Sequence, residues 1–123
     1  MDSVLALLLL LHVKHLICDG FLQPKAMVES KGPYGLRLGL LHAGLHGAGT
    51  FLVLMSVGVS LVQGAMVALA DAVIHYHADY AKENIVRAAG WTTSDKQFWW
   101  AQMSDQFVHN ATYIAIAAYL MSR

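Results

Sequence analysis

Eight consecutive residues, Val4-Leu5-Ala6-Leu7-Leu8-Leu9-Leu10-Leu11, carry no polar side chain, and the apolar run continues past His12 and His15 to Phe21. A helix of roughly 20 such residues matches the hydrocarbon thickness of a bilayer. It is too uniformly apolar for an amphipathic surface helix, which needs a polar face. The opening Met1-Asp2-Ser3-Val4 lacks the basic region of a secretory signal peptide, and no small-residue cleavage site follows. The run is therefore read as a retained membrane helix, from about Ser3 to Leu22.

Further signals divide the rest of the chain into helices. Pro24 disfavours helical geometry at Gln23. A polar connector with Lys25, Glu29 and Lys31 extends to Pro33. A second helix is expected from about Tyr34 to Val62, with glycines and alanines early in it that permit close helix contact. A turn near Gln63-Gly64 leads to a third helix, about Ala65 to Ala89, closed by Gly90 as a C-cap. After Trp91-Thr92-Thr93, Ser94 and Gln97 have the spacing of a capping box. They open a fourth helix, about Asp95 to Met121. No segment sustains the period of two expected of a strand. The expected fold is a single all-α domain over residues 1–123, a polytopic membrane protein built as an up-down-up-down four-helix transmembrane bundle.

Composition agrees. Of 123 residues, 57 % are hydrophobic and only 13 % are charged, against about 25 % charged in ordinary soluble domains. Eight basic residues balance eight acidic ones, so no basic field invites nucleic acid. The single cysteine, Cys18, excludes an internal disulfide framework and a cysteine-based zinc finger, and is expected to act as a small packing residue. Lys25, Lys31, Arg37, Lys82, Arg87 and Lys96 flank the first and third connections. The positive-inside rule places those connections in the cytoplasm and both termini outside. Trp91, Trp99 and Trp100 would then form an interfacial belt. A soluble helical bundle is the competing reading, because the third helix contains Asp71, His75, His77, Asp79 and Lys82.

Each expected helix carries one i, i+4 polar pair: His15 and Asp19, His42 and His46, His75 and Asp79, Asp105 and His109. That spacing sets both side chains on one helical face, a turn apart, as in the zinc-binding H-E-x-x-H motif. The pairs fall late, early, late and early in successive helices, so alternating helices bring all four to one depth near the cytoplasmic face. An ionisable group at the bilayer centre costs at least about 2.5–3.5 kcal/mol, which drives such groups inward and toward compensation. A divalent cation offsets carboxylate charge and accepts neutral imidazole nitrogens. The eight residues are therefore candidate metal ligands. The mixed nitrogen and oxygen donors favour Zn, Mn or Fe, as one ion or as two. His46 is also a candidate general base, and Lys82 and Gln106 are candidate substrate-holding groups. Asp71, Gln23 and Gln106 are candidates for orienting the imidazoles. Lys14 is expected to snorkel, and His12 and His77 to be structural or interfacial.

The run His15-x-x-x-Asp19-x-x-x-Gln23, followed by His42 and His46, His75-x-x-x-Asp79-x-x-Lys82 and Asp105-Gln106-x-x-His109, resembles an uncharacterised family of small bacterial and phage membrane proteins. The resemblance covers nearly the whole chain. His77 departs from it, standing where an apolar residue is expected. More loosely, the pattern is similar to membrane-bound metal-dependent hydrolases. These likenesses imply the bacterial inner membrane as the location and a hydrolytic reaction; a site opening at headgroup depth makes a lipid phosphoester or another membrane-borne ester the expected substrate, with membrane lipid as the partner. Self-association stays open. The alternatives are a metal-ion or proton transporter, a di-iron oxidoreductase, and a structural or holin-like phage membrane protein that performs no chemistry.

Overall fold

A computed structural model describes residues 3–25, 27 and 37–123. The described residues form four helices and no strand: α1 (Ser3–Leu16), α2 (Arg37–Ser56), α3 (Leu61–Ala89) and α4 (Lys96–Met121). The π-helical turn Ile17–Phe21 prolongs α1. Much of the expected connector after Lys25, and the expected start of the second helix at Tyr34, lie outside the described residues.

The helices alternate in direction. Leu7 and Leu11 of α1 share one apolar cluster with Leu54 of α2 and with Ile116 and Ala117 of α4, whereas Asp19 meets His46 and His15 meets Gln106. Rising numbers in α1 thus pair with falling numbers in α2 and α4. Thr50 meets Asp71, and His42 meets His75, so α3 runs against α2. Around the bundle α1 packs on α2, α2 on α3, α3 on α4 and α4 on α1. Among the described residues α1 and α3 meet across the centre through side chains alone.

Two boundaries differ from the sequence reading. The α2–α3 turn falls at Val57–Ser60 and not at Gln63-Gly64. Gly58 adopts φ +82°; its N–H donates to Met55 O, and the Val59 N–H reaches back to Leu54 O. Ser60 then caps α3 by accepting from the Gln63 N–H at 3.3 Å. Gly64 lies inside α3, where an added Cβ would strike the Met55 side chain, so it serves close packing. The expected Ser94–Gln97 capping box does not form. Asp95 occupies the cap position, and its carboxylate accepts from the Thr92 N–H at 2.8 Å, tightening the preceding turn. Gly90 does close α3, at φ +68°, with the Trp91 N–H bonded to Val86 O. The same two-bond termination ends α2 and α3.

The distribution of polarity is inside out. Buried groups include Lys14, His15, His42, His46, Thr50, Asp71, His75, Asp79, Asp105 and His109. Large apolar side chains face outward from every helix, among them Leu5, Leu52, Val62, Leu69, Phe107 and Ile114. Two helical segments, Ser3–Phe21 and Arg37–Ser56, are long and apolar enough to cross a membrane.

Candidate metal centre

The antiparallel pairing brings all four i, i+4 pairs into one cluster in the bundle interior. The Asp19 carboxylate is its hub on the α1 side. One oxygen, Oδ1, lies 2.8 Å from His46 Nε2 and 3.2 Å from His42 Nε2. The other, Oδ2, lies 3.1 Å from His15 Nε2. Asp79 is the hub on the α3 side. Its Oδ2 is 3.2 Å from His75 Nε2 and 3.6 Å from His42 Nε2, and its Oδ1 is 3.5 Å from His109 Nε2. Asp105 Oδ1 faces His109 Nε2 at 3.2 Å. The rings of His46, His75 and His109 stack in sequence, with centroids 3.6 and 4.0 Å apart.

Two groups of donor atoms converge enough to hold a cation: Asp19, His42, His46 and His75, and His75, Asp79 and His109, each with its atoms within 4.8 Å of one another. The chemistry of the set fits a metal. Donors placed about 2.0–2.1 Å from a tetrahedral zinc stand roughly 3.3–3.4 Å apart, close to the 3.3 Å between His42 Nε2 and His75 Nε2. Asp105 Oδ1 and His109 Nε2 are buried, face each other and form no hydrogen bond, the condition of lone pairs directed at a shared third atom.

Other expected residues fall into place around this centre. Gln106 Oε1 accepts from His15 Nε2 at 2.9 Å. Lys82 Nζ stands at the mouth, 2.9 Å from Glu83, 3.2 Å from Gln102 Oε1 and 4.0 Å from Asp105. His46 is fully buried beneath the mouth. His12 and His77 lie outside the cluster and bond back onto their own helices, donating from Nδ1 to the carbonyls four residues earlier, Leu8 O and Val73 O. Cys18 is buried, its thiol directed at Leu45 O.

Two expectations need correction. Lys14 does not snorkel: its ammonium is buried and ion-paired at 3.3 Å with Asp71. It also contacts Tyr113 Oη at 3.1 Å and His46 Nδ1 at 3.3 Å. Gly49 makes this possible, since a Cβ there would lie 2.6 Å from Lys14 Cγ. Asp71 touches no imidazole. It accepts from Lys14 and, at 2.6 Å, from Thr50, and acts on the histidines only through Lys14.

Tyr113, Thr50, Glu83 and Gln102 had not been singled out. The first three were marked by a signal already in use. Thr50 stands four residues after His46, Tyr113 four after His109 and Glu83 four after Asp79, so these three i, i+4 pairs belong to longer polar ladders along their helices.

A cleft of about 620 Å³ opens onto the centre between α1, α3 and α4, bordered by His15, Asp19, Lys82, Gln102, Asp105 and Gln106 and rimmed by Phe98 and Trp99. A second groove, about 470 Å³ and lined mostly by apolar side chains including Ile85, Trp91, Trp100 and Val108, shares Lys82 and Asp105 with it.

An all-α bundle with a buried His/Asp centre under a polar cleft defines the class. The chain belongs to the family described as protein of unknown function (DUF3307), which it matches over residues 5–123. That match bears out the expectation of an uncharacterised family spanning nearly the whole chain. No curated protein and no solved structure matches it.

Proposed function

We propose that this protein is a membrane-embedded metal-dependent hydrolase acting on a phosphoester carried by a lipid. The observation that carries the reading is the convergence of donor atoms from Asp19, His42, His46, His75, Asp79 and His109 in the centre of a bundle whose outer surface is apolar. Soluble proteins rarely expose contiguous apolar surface on that scale, and four spans would bury it in lipid. A divalent ion such as Zn, Mn or Fe would be held by side chains of this set, and would supply hydroxide near neutral pH by making water more acidic.

The remaining steps belong to the chain's own residues. Lys82 offers a positive point charge to a phosphoryl oxygen at the mouth. Asp105, buried beside Lys82 and open to both hollows, is placed to take the proton that water gives up. The headgroup occupies the polar cleft, and the acyl chain follows the apolar groove between α3 and α4. Hydrolysis adds water across the ester, breaking the P–O bond and returning an alcohol and a phosphate. Transport is the runner-up. The layer formed by Leu7, Leu11, Leu54, Ile116 and Ala117 counts against it, because it closes the bundle axis on the side away from the cleft.

The test is elemental mass spectrometry on protein purified in mild detergent without chelator. It is paired with phosphate release from a short-chain acylated phosphomonoester and from p-nitrophenyl phosphate. One or two equivalents of metal, lost in His75→Ala and Asp79→Ala, with turnover favouring the acylated substrate, is the expected result. Wild-type protein that stays metal-free after reconstitution with Zn, Mn and Fe overturns the reading.

A further inference from the structure

Hydrogen-bond accounting divides the five clustered histidines into two kinds. An ammonium has three N–H donors and accepts nothing. Lys14, paired with Asp71, meets three acceptors: Asp71 Oδ2, Tyr113 Oη and His46 Nδ1, at 3.3, 3.1 and 3.3 Å. His46 Nδ1 must therefore carry a lone pair, so the proton of neutral His46 sits on Nε2, where it donates to Asp19 Oδ1 at 2.8 Å. His15 gives the same result from its other end. Its Nε2 faces only acceptors, Gln106 Oε1 at 2.9 Å and Asp19 Oδ2 at 3.1 Å. Its Nδ1 then accepts from the Tyr113 hydroxyl at 2.8 Å, and that hydroxyl oxygen is the one Lys14 donates to.

The other three histidines also face carboxylate oxygens through Nε2, but among the described residues no donor on the other ring nitrogen fixes their tautomer as Lys14 and Tyr113 fix those of His46 and His15. The Nδ1 atoms of His42 and His75 and the Nε2 of His109 are buried and make no hydrogen bond. The Nε2 atoms of His42, His75 and His109 all lie 3.2–3.6 Å from Asp79 oxygens, and His42 Nε2 also lies 3.2 Å from Asp19 Oδ1, at the boundary between the two carboxylates.

We infer that Lys14 is a positioning residue that fixes His15 and His46 as Nε2–H donors clamping Asp19, and so leaves the metal to His42, His75, His109 and Asp79. This deepens the metal-centre reading and rests on it for the ion itself. The clamp, by contrast, is a property of the protein alone. It makes Asp19 a carboxylate whose two oxygens accept from His46 and His15, with His42 Nε2 also 3.2 Å from Oδ1. His46, which sequence spacing makes a ligand, becomes a partner that orients another residue. Removing such an outer partner typically costs about 10–100-fold in metal affinity, whereas removing a ligand abolishes the site.

The experiment has two arms, both on the full chain in detergent micelles. In the first, histidine tautomers are read by long-range ¹H–¹⁵N correlation on ¹⁵N-histidine protein without metal, with assignments from single His→Asn variants. His15 and His46 are expected as pure Nε2–H tautomers, and an Nδ1–H proton on either overturns the inference. Lys14→Met with Asp71→Asn removes the clamp without stranding a buried charge. It should turn His46 into a mixture of tautomers, and a pure Nε2–H signal there would show that Lys14 is not the cause.

In the second arm zinc is added. His46→Gln, whose amide still donates to Asp19, should keep full zinc stoichiometry with affinity within about 100-fold of wild type, while His75→Ala binds none. Loss of zinc in His46→Gln as complete as in His75→Ala, or a metal-bound nitrogen on His46, overturns the assignment and leaves the metal centre standing. Wild type that takes up no zinc, Mn or Fe defeats the metal centre instead, and the tautomers of the first arm then decide the clamp by themselves.

Discussion

Lys14 and Asp71 form the only Lys–Asp ion pair in which both side chains are almost inaccessible among the described residues, at 5 % and 3 % exposure. Breaking such a pair by removing one member leaves a buried charge and costs about 3–5 kcal/mol, while replacing both members with apolar residues is often neutral. Lys14→Met or Asp71→Leu alone should therefore lower the unfolding free energy by about that much, and the double variant should recover most of it. Circular dichroism during SDS titration reads the difference. Much of this network was legible in the sequence. The i, i+4 pairs named eight of the clustered residues, because helical periodicity fixes which side chains share a face. Lys14 was not legible, since it adjoins a cluster residue without sharing its spacing. Its burial depends on Gly49 of another helix leaving room for its stem, and no local pattern records that contact.

At the scale of elements, small residues set how closely the helices approach. A Cβ on Gly47 would stand 2.9 Å from Ala72 Cβ and 3.1 Å from Ala68 O. Gly47→Val should force α2 and α3 apart and cost about 1–3 kcal/mol. Because His42, His46 and His75 lie on those two helices, it should weaken metal uptake as well as stability. Gly58 is required for a different reason. Its left-handed backbone costs a residue with a Cβ about 1–2 kcal/mol, so Gly58→Ala should destabilise by that amount while leaving metal stoichiometry unchanged. The two variants separate packing around the centre from packing remote from it. The α2–α3 turn was misplaced in the sequence reading because Gly58 and Gly64 are equally plausible breaks in one dimension. Ser60-x-x-Gln63 supplied the deciding signal, with the spacing that had been assigned to Ser94 and Gln97. Gly90 was read correctly because Trp91-Thr92-Thr93 after it leaves no competing helical continuation.

At the scale of the whole molecule, an even number of spans predicts that both ends of the chain lie on one side of the membrane. Cysteines introduced at Ser3 and Ser122, with Cys18 replaced by Ala, should react with a membrane-impermeant maleimide from the same face of sealed vesicles. Opposite faces would exclude four spans. Helix number and alternation were legible from the breaks in the sequence; of the four spans expected there, only α1 with its π-helical turn and α2 are long and apolar enough to cross a membrane among the described residues. Asp71, Asp79, Lys82 and Glu83 dilute the hydropathy of α3, although Asp71 and Asp79 are buried in the folded chain. That dilution matters during synthesis. The α1 and α2 segments are long and apolar enough to cross a membrane, whereas α3 would bring charges that lipid rejects. Lys14, Thr50 and His42, which Asp71 and Asp79 contact, all precede α3 in the chain. If the chain inserts as four spans, the hairpin made first would offer Asp71 and Asp79 their partners, and the polar centre would act in assembly as well as in the folded protein.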